Sequence, residues 1–204
     1  MTRARVVRVV LKPLVFVLCA VPFVKLVWLG YQGDLTANPV DYITKRTGTW
    51  ALTLLVVSLA VTPARQWLRF SELVRLRRML GLFAFFYAVL HFLTWSVFDH
   101  VFDLVEMASD VVKRPYITAG MTAFAIMLPL AITSTEGMIR RLGRRWQALH
   151  RLVYVAAIAA VLHYWWLVKA DTRLPRQFAV AVTLLLGYRL VRAWFRGRAR
   201  APSA

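Results

Sequence analysis

The chain has 204 residues, 60% of them hydrophobic, with eight tryptophans and twelve phenylalanines. So much apolar surface cannot be buried in one small soluble domain, and the composition therefore predicts an integral membrane protein. The formal net charge of +18 would suggest nucleic-acid binding in a soluble protein. Here the arginines form short clusters between apolar segments, so we interpret them as topology signals in a lipid bilayer and expect no nucleic-acid partner.

Six apolar segments follow one another along the chain, and most are close to the roughly 20 residues that a membrane-spanning helix needs. They lie near 9–29, 45–62, 79–98, 116–133, 150–168 and 177–195. The pattern predicts an all-α membrane protein of six transmembrane helices in a single domain covering 1–204. The second segment is clearly apolar only from 49, so its helix begins earlier or the bilayer thins around it. We find no internal repeat.

Lys and Arg are distributed unevenly among the connections, with nineteen on one side and seven on the other. The positive-inside rule then places both termini and the 63–78 and 134–149 connections in the cytoplasm. The connection 99–115, on the outer side, alternates acidic with apolar residues, which is typical of an interfacial segment. It could dock a partner, although such segments more often rest on the lipid surface.

Three of the four histidines, His91, His150 and His163, lie within or at the edge of apolar segments. An ionisable side chain is costly there, so a buried redox cofactor is our first hypothesis. At ~1.5 Å per residue, His91 and His163 are about 18 and 19 Å from the cytoplasmic ends of the third and fifth helices. Two imidazoles at equal depth can bind one haem iron from both sides. We therefore predict a b-type haem between these helices, with the neighbouring alanines making room for it: Ala84, Ala88, Ala156, Ala159 and Ala160.

His150 is a candidate ligand of a second haem, but the third helix has Arg77 and Arg78 where a partner histidine would stand. These arginines could instead hold haem propionates, a flavin phosphate or a quinone headgroup. His150 and His163 are also about 140° apart on an ideal helix, so they share a face only if the helix is irregular. The number of haems, one or two, stays open. We expect His100 to be an exposed interface residue.

The sequence lacks a glycine-rich nucleotide-binding motif, a cysteine pair and a His-Glu-x-x-His motif. The electron donor and acceptor must then be other molecules, and we assign no catalytic residue. The single cysteine, Cys19, is expected to be a packing residue. Besides electron transfer to one dedicated partner, two alternatives remain. One is a quinol- or ferric-reductase-type cytochrome b that serves another periplasmic acceptor. The other is a cofactor-free transporter or assembly factor whose histidines relay protons or line a cavity.

Several stretches carry a family resemblance. They are Asn38-Pro39-Val40, Arg77-Arg78-Met79-Leu80-Gly81, Thr133-Ser134-Thr135, the Arg-Trp-Gln-Ala-Leu-His block within 142–154, and His163-Tyr164. In these stretches the chain resembles the MsrQ family, also called YedZ, the haem-binding membrane subunits of bacterial methionine sulfoxide reductase systems. That family is similar in turn to ferric-reductase-like transmembrane domains.

The resemblance implies a multi-pass subunit of the bacterial inner membrane that carries b-type haem and FMN. It implies electron transfer from the quinone pool or a cytosolic flavin reductase to a periplasmic molybdopterin subunit, MsrP, which reduces methionine sulfoxide in oxidised proteins. The haem-linked histidines of the family map to His91, His150 and His163, but not to His100. Oxidase relatives use four histidines, and the fourth is missing here, so the resemblance leaves the ligands of a second haem undecided.

Overall fold

A computed structural model describes residues 3–198 and contains, within them, six helices long and apolar enough to cross a membrane. We number them α1 to α6: Val7–Gln32, Pro39–Trp67, Ser71–Asp99, Pro115–Ile132, Arg144–Leu167 and Arg173–Phe195. The last helix continues to Arg198. The described residues form no β-strand. The predicted all-α architecture with six spans is confirmed.

The two ends of the helix bundle differ in charge. The connections from α2 to α3 and from α4 to α5 lie at one end, which we call the basic end because it carries arginine clusters near 65–78 and 140–151. The other three connections lie at the opposite end, the acidic end, which carries seven of the nine carboxylate residues. The positive-inside rule favours a cytoplasmic basic end, and that orientation stays a prediction.

The centre of the bundle consists of two helical hairpins, α2 with α3 and α4 with α5, which make the most extensive helix contacts. The most apolar stretch of α2 is 44% buried, whereas those of α1 and α6 are only 6% buried. The outer helices α1 and α6 therefore present most of their side chains to lipid. Buried leucines and alanines of the hairpins form the common core: Leu52, Leu55, Leu59, Leu80, Ala84, Ala156 and Ala157.

The second helix begins six residues before its predicted start at 45. Asn38 caps it, because the side-chain oxygen accepts a hydrogen bond from the Asp41 amide at 3.1 Å, and Pro39 occupies the first turn. Both residues favour helix initiation. The first two turns of α2 are polar and have low hydropathy, so the start predicted from hydropathy was too late. At 29 residues, α2 is long enough to cross a bilayer without local thinning.

A tyrosine of α3 fixes α1 at its internal proline. Pro22 has no amide hydrogen and disrupts the hydrogen-bond ladder of its helix. The hydroxyl of Tyr87 donates to the Cys19 carbonyl at 2.7 Å and accepts from the Phe23 amide at 3.0 Å. Tyr87 thus satisfies the backbone at the break and anchors a lightly packed helix. Cys19 is buried at 3% exposure, as expected of a packing residue.

Candidate functional site

The two histidines predicted to act together are neighbours. His91 on α3 and His163 on α5 have ring centres 6.0 Å apart, with their planes at 75°. Both rings lie in the half of the bundle nearer the acidic end, eight residues before the end of α3 and four before the end of α5. The equal depth inferred from residue counting is therefore confirmed, whereas the role of the pair stays a prediction.

Each ring is oriented by a backbone carbonyl of the preceding helix in its own hairpin. His91 Nδ1 lies 2.9 Å from the carbonyl oxygen of Thr44, and His163 Nδ1 lies 2.7 Å from that of Tyr116. A carbonyl can only accept, so both rings carry their hydrogen on Nδ1. The lone pair is then on Nε2, the nitrogen that a metal would take.

Each ring also lies directly against a glycine. A Cβ added to Gly48 would be 3.0 Å from His91 Nδ1, and one added to Gly120 would be 2.7 Å from His163 Nδ1. A side chain at either glycine would push the imidazole away from its carbonyl. Sequence reasoning missed both residues, because a helical glycine alone gives no sign of what packs against it.

The two hairpins repeat this arrangement at a constant offset of 72 residues. Gly48 and His91 correspond to Gly120 and His163, and each Nδ1 bond spans 47 residues. The absence of an internal repeat was therefore a wrong expectation. The repeat is also present in the sequence, where Ala88-Val89-Leu90-His91 is identical to Ala160-Val161-Leu162-His163 and Ala84 matches Ala156. Ala84 and Ala156 are both fully buried, at 0% exposure.

The spacing of the pair is compatible with two imidazoles bound to one metal ion. Metal–imidazole bonds are about 2 Å long, so two imidazoles on opposite sides of one ion have ring centres roughly 6 Å apart. The observed separation of 6.0 Å agrees with this value. Among the described residues, no group of three or more His, Cys, Asp or Glu could hold a bare metal ion. Two histidine nitrogens are, however, all that the iron of a bis-histidine haem requires from a protein.

His150 lies in a different environment at the basic end. Its Nε2 is 3.1 Å from the hydroxyl of Thr133, and its ring stacks on Trp146 at 3.9 Å. Thr133 donates its own hydrogen to the Pro129 carbonyl at 2.6 Å, so Nε2 of His150 is the donor in their contact. His150 therefore carries its hydrogen on the nitrogen opposite to that used by His91 and His163.

The fifth helix is irregular between His150 and His163, as it must be if the two histidines are to share a face. A regular helix covers Arg144–His150, a turn follows, and a second one covers Val153–Leu167. Because of this break, His150 and His163 both contact α4, through Thr133 and Tyr116. The structure thus removes the geometrical objection based on an ideal helix.

A cavity of about 380 Å³ opens beside His150. Its polar lining includes Arg77, Arg78 and Arg151, and its apolar lining comes from α2, α3, α4 and α5. Arg78 also lies 3.7 Å from Glu136, a largely exposed partner. The structure therefore brings both predicted arginines to one site with His150, away from the His91–His163 pair.

Arg189 of α6 supports the same site and was not predicted. Its guanidinium donates to the hydroxyl of Tyr154, which lines the cavity, at 2.8 Å and to the Leu59 carbonyl at 2.7 Å. Both acceptors are uncharged. A cationic group in a spanning helix is costly, and this one adds positive potential behind the cavity wall.

The expectation of an exposed His100 is wrong. Its side chain is buried at 6% exposure against Trp95, with ring centres 4.6 Å apart. His100 Nε2 lies 3.3 Å from Asp110. The π-helical turn Trp95–Asp99 at the end of α3 shifts the following residues from the face extrapolated for a regular helix.

Comparison with known proteins shows the family of the chain. The family described as ferric reductase like transmembrane component matches residues 47–161, which include both hairpin glycines and His91 and His150. Three similar proteins are each named protein-methionine-sulfoxide reductase heme-binding subunit MsrQ. The one from Herminiimonas arsenicoxydans is 51% identical over 90% of this chain and 86% of its own length.

The other two relatives are similar over nearly their whole length. The protein from Bordetella pertussis is 49% identical over 94% of this chain and 93% of its own length. The protein from Rhodospirillum rubrum is 52% identical over 93% and 92%. With six spanning helices and bacterial relatives, the chain is a multi-pass protein of the inner membrane. It belongs to the MsrQ family, within the ferric-reductase-like transmembrane proteins.

Proposed function

We propose that the chain is the b-type haem electron-transfer subunit of a methionine sulfoxide reductase system. The names of its relatives state haem binding and that reductase system for those proteins. In this chain, His91 and His163 hold the haem iron through Nε2, and bound haem supplies a one-electron carrier within the membrane. Catalysis on the sulfoxide resides in a partner subunit of the MsrP type, in keeping with the relatives' description as haem-binding subunits of the reductase.

The observation that carries this proposal is the geometry of the histidine pair. Two rings 6.0 Å apart are each oriented by a main-chain carbonyl and each packed on a glycine. The carbonyls fix the tautomer and hold both rings before a metal binds. A proton relay would need hydrogen-bonded links from one ring to the next, whereas here each Nδ1 hydrogen is committed to a backbone acceptor.

The basic end holds a second cofactor through its anionic groups. Arg77 and Arg78 provide charge-assisted hydrogen bonds to a propionate or a phosphate, which are shared features of haem and FMN. A haem in this cavity would take His150 as its imidazole ligand, and the ring would then exchange Thr133 for iron. FMN would leave the contact between His150 and Thr133 intact.

Electrons arrive at the basic end and leave at the acidic end. A membrane quinol or a cytosolic flavin reductase is the donor at the cavity with Arg77 and Arg78. The periplasmic molybdopterin subunit is the acceptor at the end nearer His91 and His163. This direction follows from the positive-inside orientation and from the placement of the histidine pair close to the outer surface.

The test is the reduced-minus-oxidised absorbance spectrum of the purified chain, together with haem-to-protein and flavin-to-protein ratios. Sharp b-type bands are expected. A ratio of two haems per chain assigns the basic cavity to haem, and one haem with one flavin assigns it to FMN. A chain that contains no haem after expression with ample haem supply contradicts the proposal and favours a cofactor-free transporter or assembly factor.

A further inference from the structure

The helix Leu104–Lys113, here called the outer helix, joins α3 to α4 at the acidic end. Asp103 caps it by accepting hydrogen bonds from the amides of Val105 at 2.9 Å and Glu106 at 3.0 Å. Only short segments separate the outer helix from Asp99, where α3 ends, and from Pro115, where α4 begins. The helix therefore lies close to the level at which the spans leave the hydrocarbon.

Three contacts fix the rotation of the outer helix about its axis. Asp110 lies 3.3 Å from the buried His100 ring, and the Met107 sulfur lies 3.8 Å from the hydroxyl of Ser96. The Val111 carbonyl accepts a hydrogen bond from Thr118 of α4. These residues form the protein-facing sector of the helix, so the other two sectors have defined directions.

One of the other sectors is apolar and open, and we call it the apolar sector. It comprises Leu104, Val105, Ala108 and Val112, which fall within about 100° of arc at 3.6 residues per turn. Leu104, Val105 and Val112 are 75%, 81% and 85% exposed. Apolar side chains on one helix face are normally the covered ones, so in this chain some other molecule must cover them.

The polar sector lies roughly opposite, with Glu106 and Lys113 about 20° apart on the helix. The Glu106 side chain is 61% exposed. A helix with a protein-facing side, an apolar side and an opposing charged side is suited to lie along a membrane surface, because one orientation places every sector in its preferred medium.

The turn before the outer helix adds to the apolar surface. Val101 and Phe102 have φ of 48° and 61°, a left-handed conformation that is unfavourable for a β-branched residue such as valine. Hydrogen bonds from Phe102 N to Ser96 O at 2.9 Å and from Asp103 N to His100 O at 2.7 Å hold the turn. The side chains of Val101 and Phe102 are 81% and 57% exposed.

We propose that the outer helix lies in the headgroup region of the bilayer leaflet at the acidic end, with its apolar sector immersed in lipid. The apolar sector is continuous with the lipid-facing surface, because Val112 lines a groove together with Pro115, Ala119 and Trp166 of α4 and α5. A protein docked on the apolar sector would also have to cover part of the lipid-facing surface, so lipid is the occupant that fits. This inference does not depend on the proposed electron-transfer function.

Cysteine labelling in the full chain tests the proposal. Single cysteines replace Val105, Val112, Glu106 or Lys113 in a Cys19→Ala background, and the protein is placed in opened vesicles of phosphatidylethanolamine and phosphatidylglycerol. A charged maleimide is expected to label Glu106→Cys and Lys113→Cys at least tenfold faster than Val105→Cys and Val112→Cys. The chain itself leaves Val105 and Glu106 open, so such a difference reports their surroundings.

A second measurement identifies the surrounding molecule. A bimane label on Val105→Cys should be quenched by lipids that carry a nitroxide near the carbonyl of the acyl chain, and a label on Glu106→Cys should be quenched much less. Equal labelling and equal quenching at the two positions would overturn the proposal. Protection of Val105→Cys that arises only after a soluble partner subunit is added would also overturn it, in favour of a protein interface.

Discussion

The hairpins α2–α3 and α4–α5 are equivalent near the acidic end and different near the basic end. Near the acidic end, each has a histidine that donates Nδ1–H to a backbone carbonyl and packs on a glycine. A site between two such halves receives the same ligand in the same tautomer from both sides. Symmetric ligation is what a bis-histidine haem needs, so the shared features point to that function.

At the basic end, the same offset of 72 residues pairs Arg78 with His150. His150 is stacked on Trp146 and bonded to Thr133, while Arg78 lies beside Glu136. One half thus offers an imidazole and the other a fixed cation. The halves are thus equivalent where we propose two equal ligands and different where we propose an anionic group.

The strongest test of this equivalence is to remove one histidine at a time. His91→Ala and His163→Ala should each lower haem occupancy by about tenfold or more, and to the same extent, since either change would remove one of the two imidazoles proposed to hold the iron. The haem-to-protein ratio of the purified variants measures this. His100→Ala serves as the control, because it removes a buried histidine without touching the pair. A full haem complement in the His163 variant would refute the assignment.

The glycines allow a graded test of the same symmetry. Gly120→Ala should weaken haem binding by about tenfold, because its Cβ would be 2.7 Å from the His163 ring, and Gly48→Ala, at 3.0 Å, should weaken it less. Haem titration and the position of the absorbance bands report the two changes. Alanine otherwise favours a helix over glycine by up to about 1 kcal/mol, and a melting temperature close to that of the unaltered chain would show that the loss arises at the site and not from poor folding.

Gly187→Ala is a matched control, since a Cβ at this position meets nothing within 4 Å and Gly187 does not line the basic cavity. This variant should bind haem like the unaltered chain. If Gly120→Ala also does, the close packing of glycine against histidine is irrelevant to the site.

Hydropathy and charge were enough to predict the six spans, because a bilayer imposes a helix length and an apolar composition that can be read directly. The equal level of His91 and His163 was also predictable from a constant rise per residue, whereas their distance from the helix starts was not, because these helices begin earlier than predicted, at Ser71 and Arg144. The beginning of α2 was not, because a cap at Asn38 and a charged first turn replace the apolar signal.

Rotation and side-chain partners escaped prediction for a different reason. The break after His150 and the π-helical turn before His100 change which way the next residues face, and neither has a distinct sequence signature. The contacts of Gly48 and Gly120 with histidines are tertiary. The available signal was the offset of 72 residues between Gly48 and Gly120, which equals that between the identical Ala-Val-Leu-His runs ending at His91 and His163.

An arginine variant tests the difference between the two hairpins at the basic end. Arg78→Ala should slow haem reduction by the electron donor several-fold, because the cavity loses a cationic side chain that donates charge-assisted hydrogen bonds. The absorbance bands of the haem proposed at His91 and His163 should stay unchanged. Stopped-flow reduction by a quinol analogue or a flavin reductase measures the rate. Arg75→Ala is the control, since Arg75 pairs with Glu72 at 2.8 Å outside the cavity. Equal slowing in both variants would mean that general positive charge, and not the cavity, matters.

The smallest expected effect concerns a residue with no counterpart in the second hairpin. Tyr87 corresponds to Ala159 and holds α1 at Pro22. Tyr87→Phe leaves the Cys19 carbonyl and the Phe23 amide without this partner, at a cost of about 1 kcal/mol, as for other hydrogen bonds inside membranes. For a chain of this size, that lowers the melting temperature by about 2–4 °C. Tyr31→Phe, at a residue 85% exposed, should leave it unchanged. An unaltered melting temperature in Tyr87→Phe would show that packing alone holds α1, and that the Tyr87 hydroxyl is not a difference between the hairpins that affects stability.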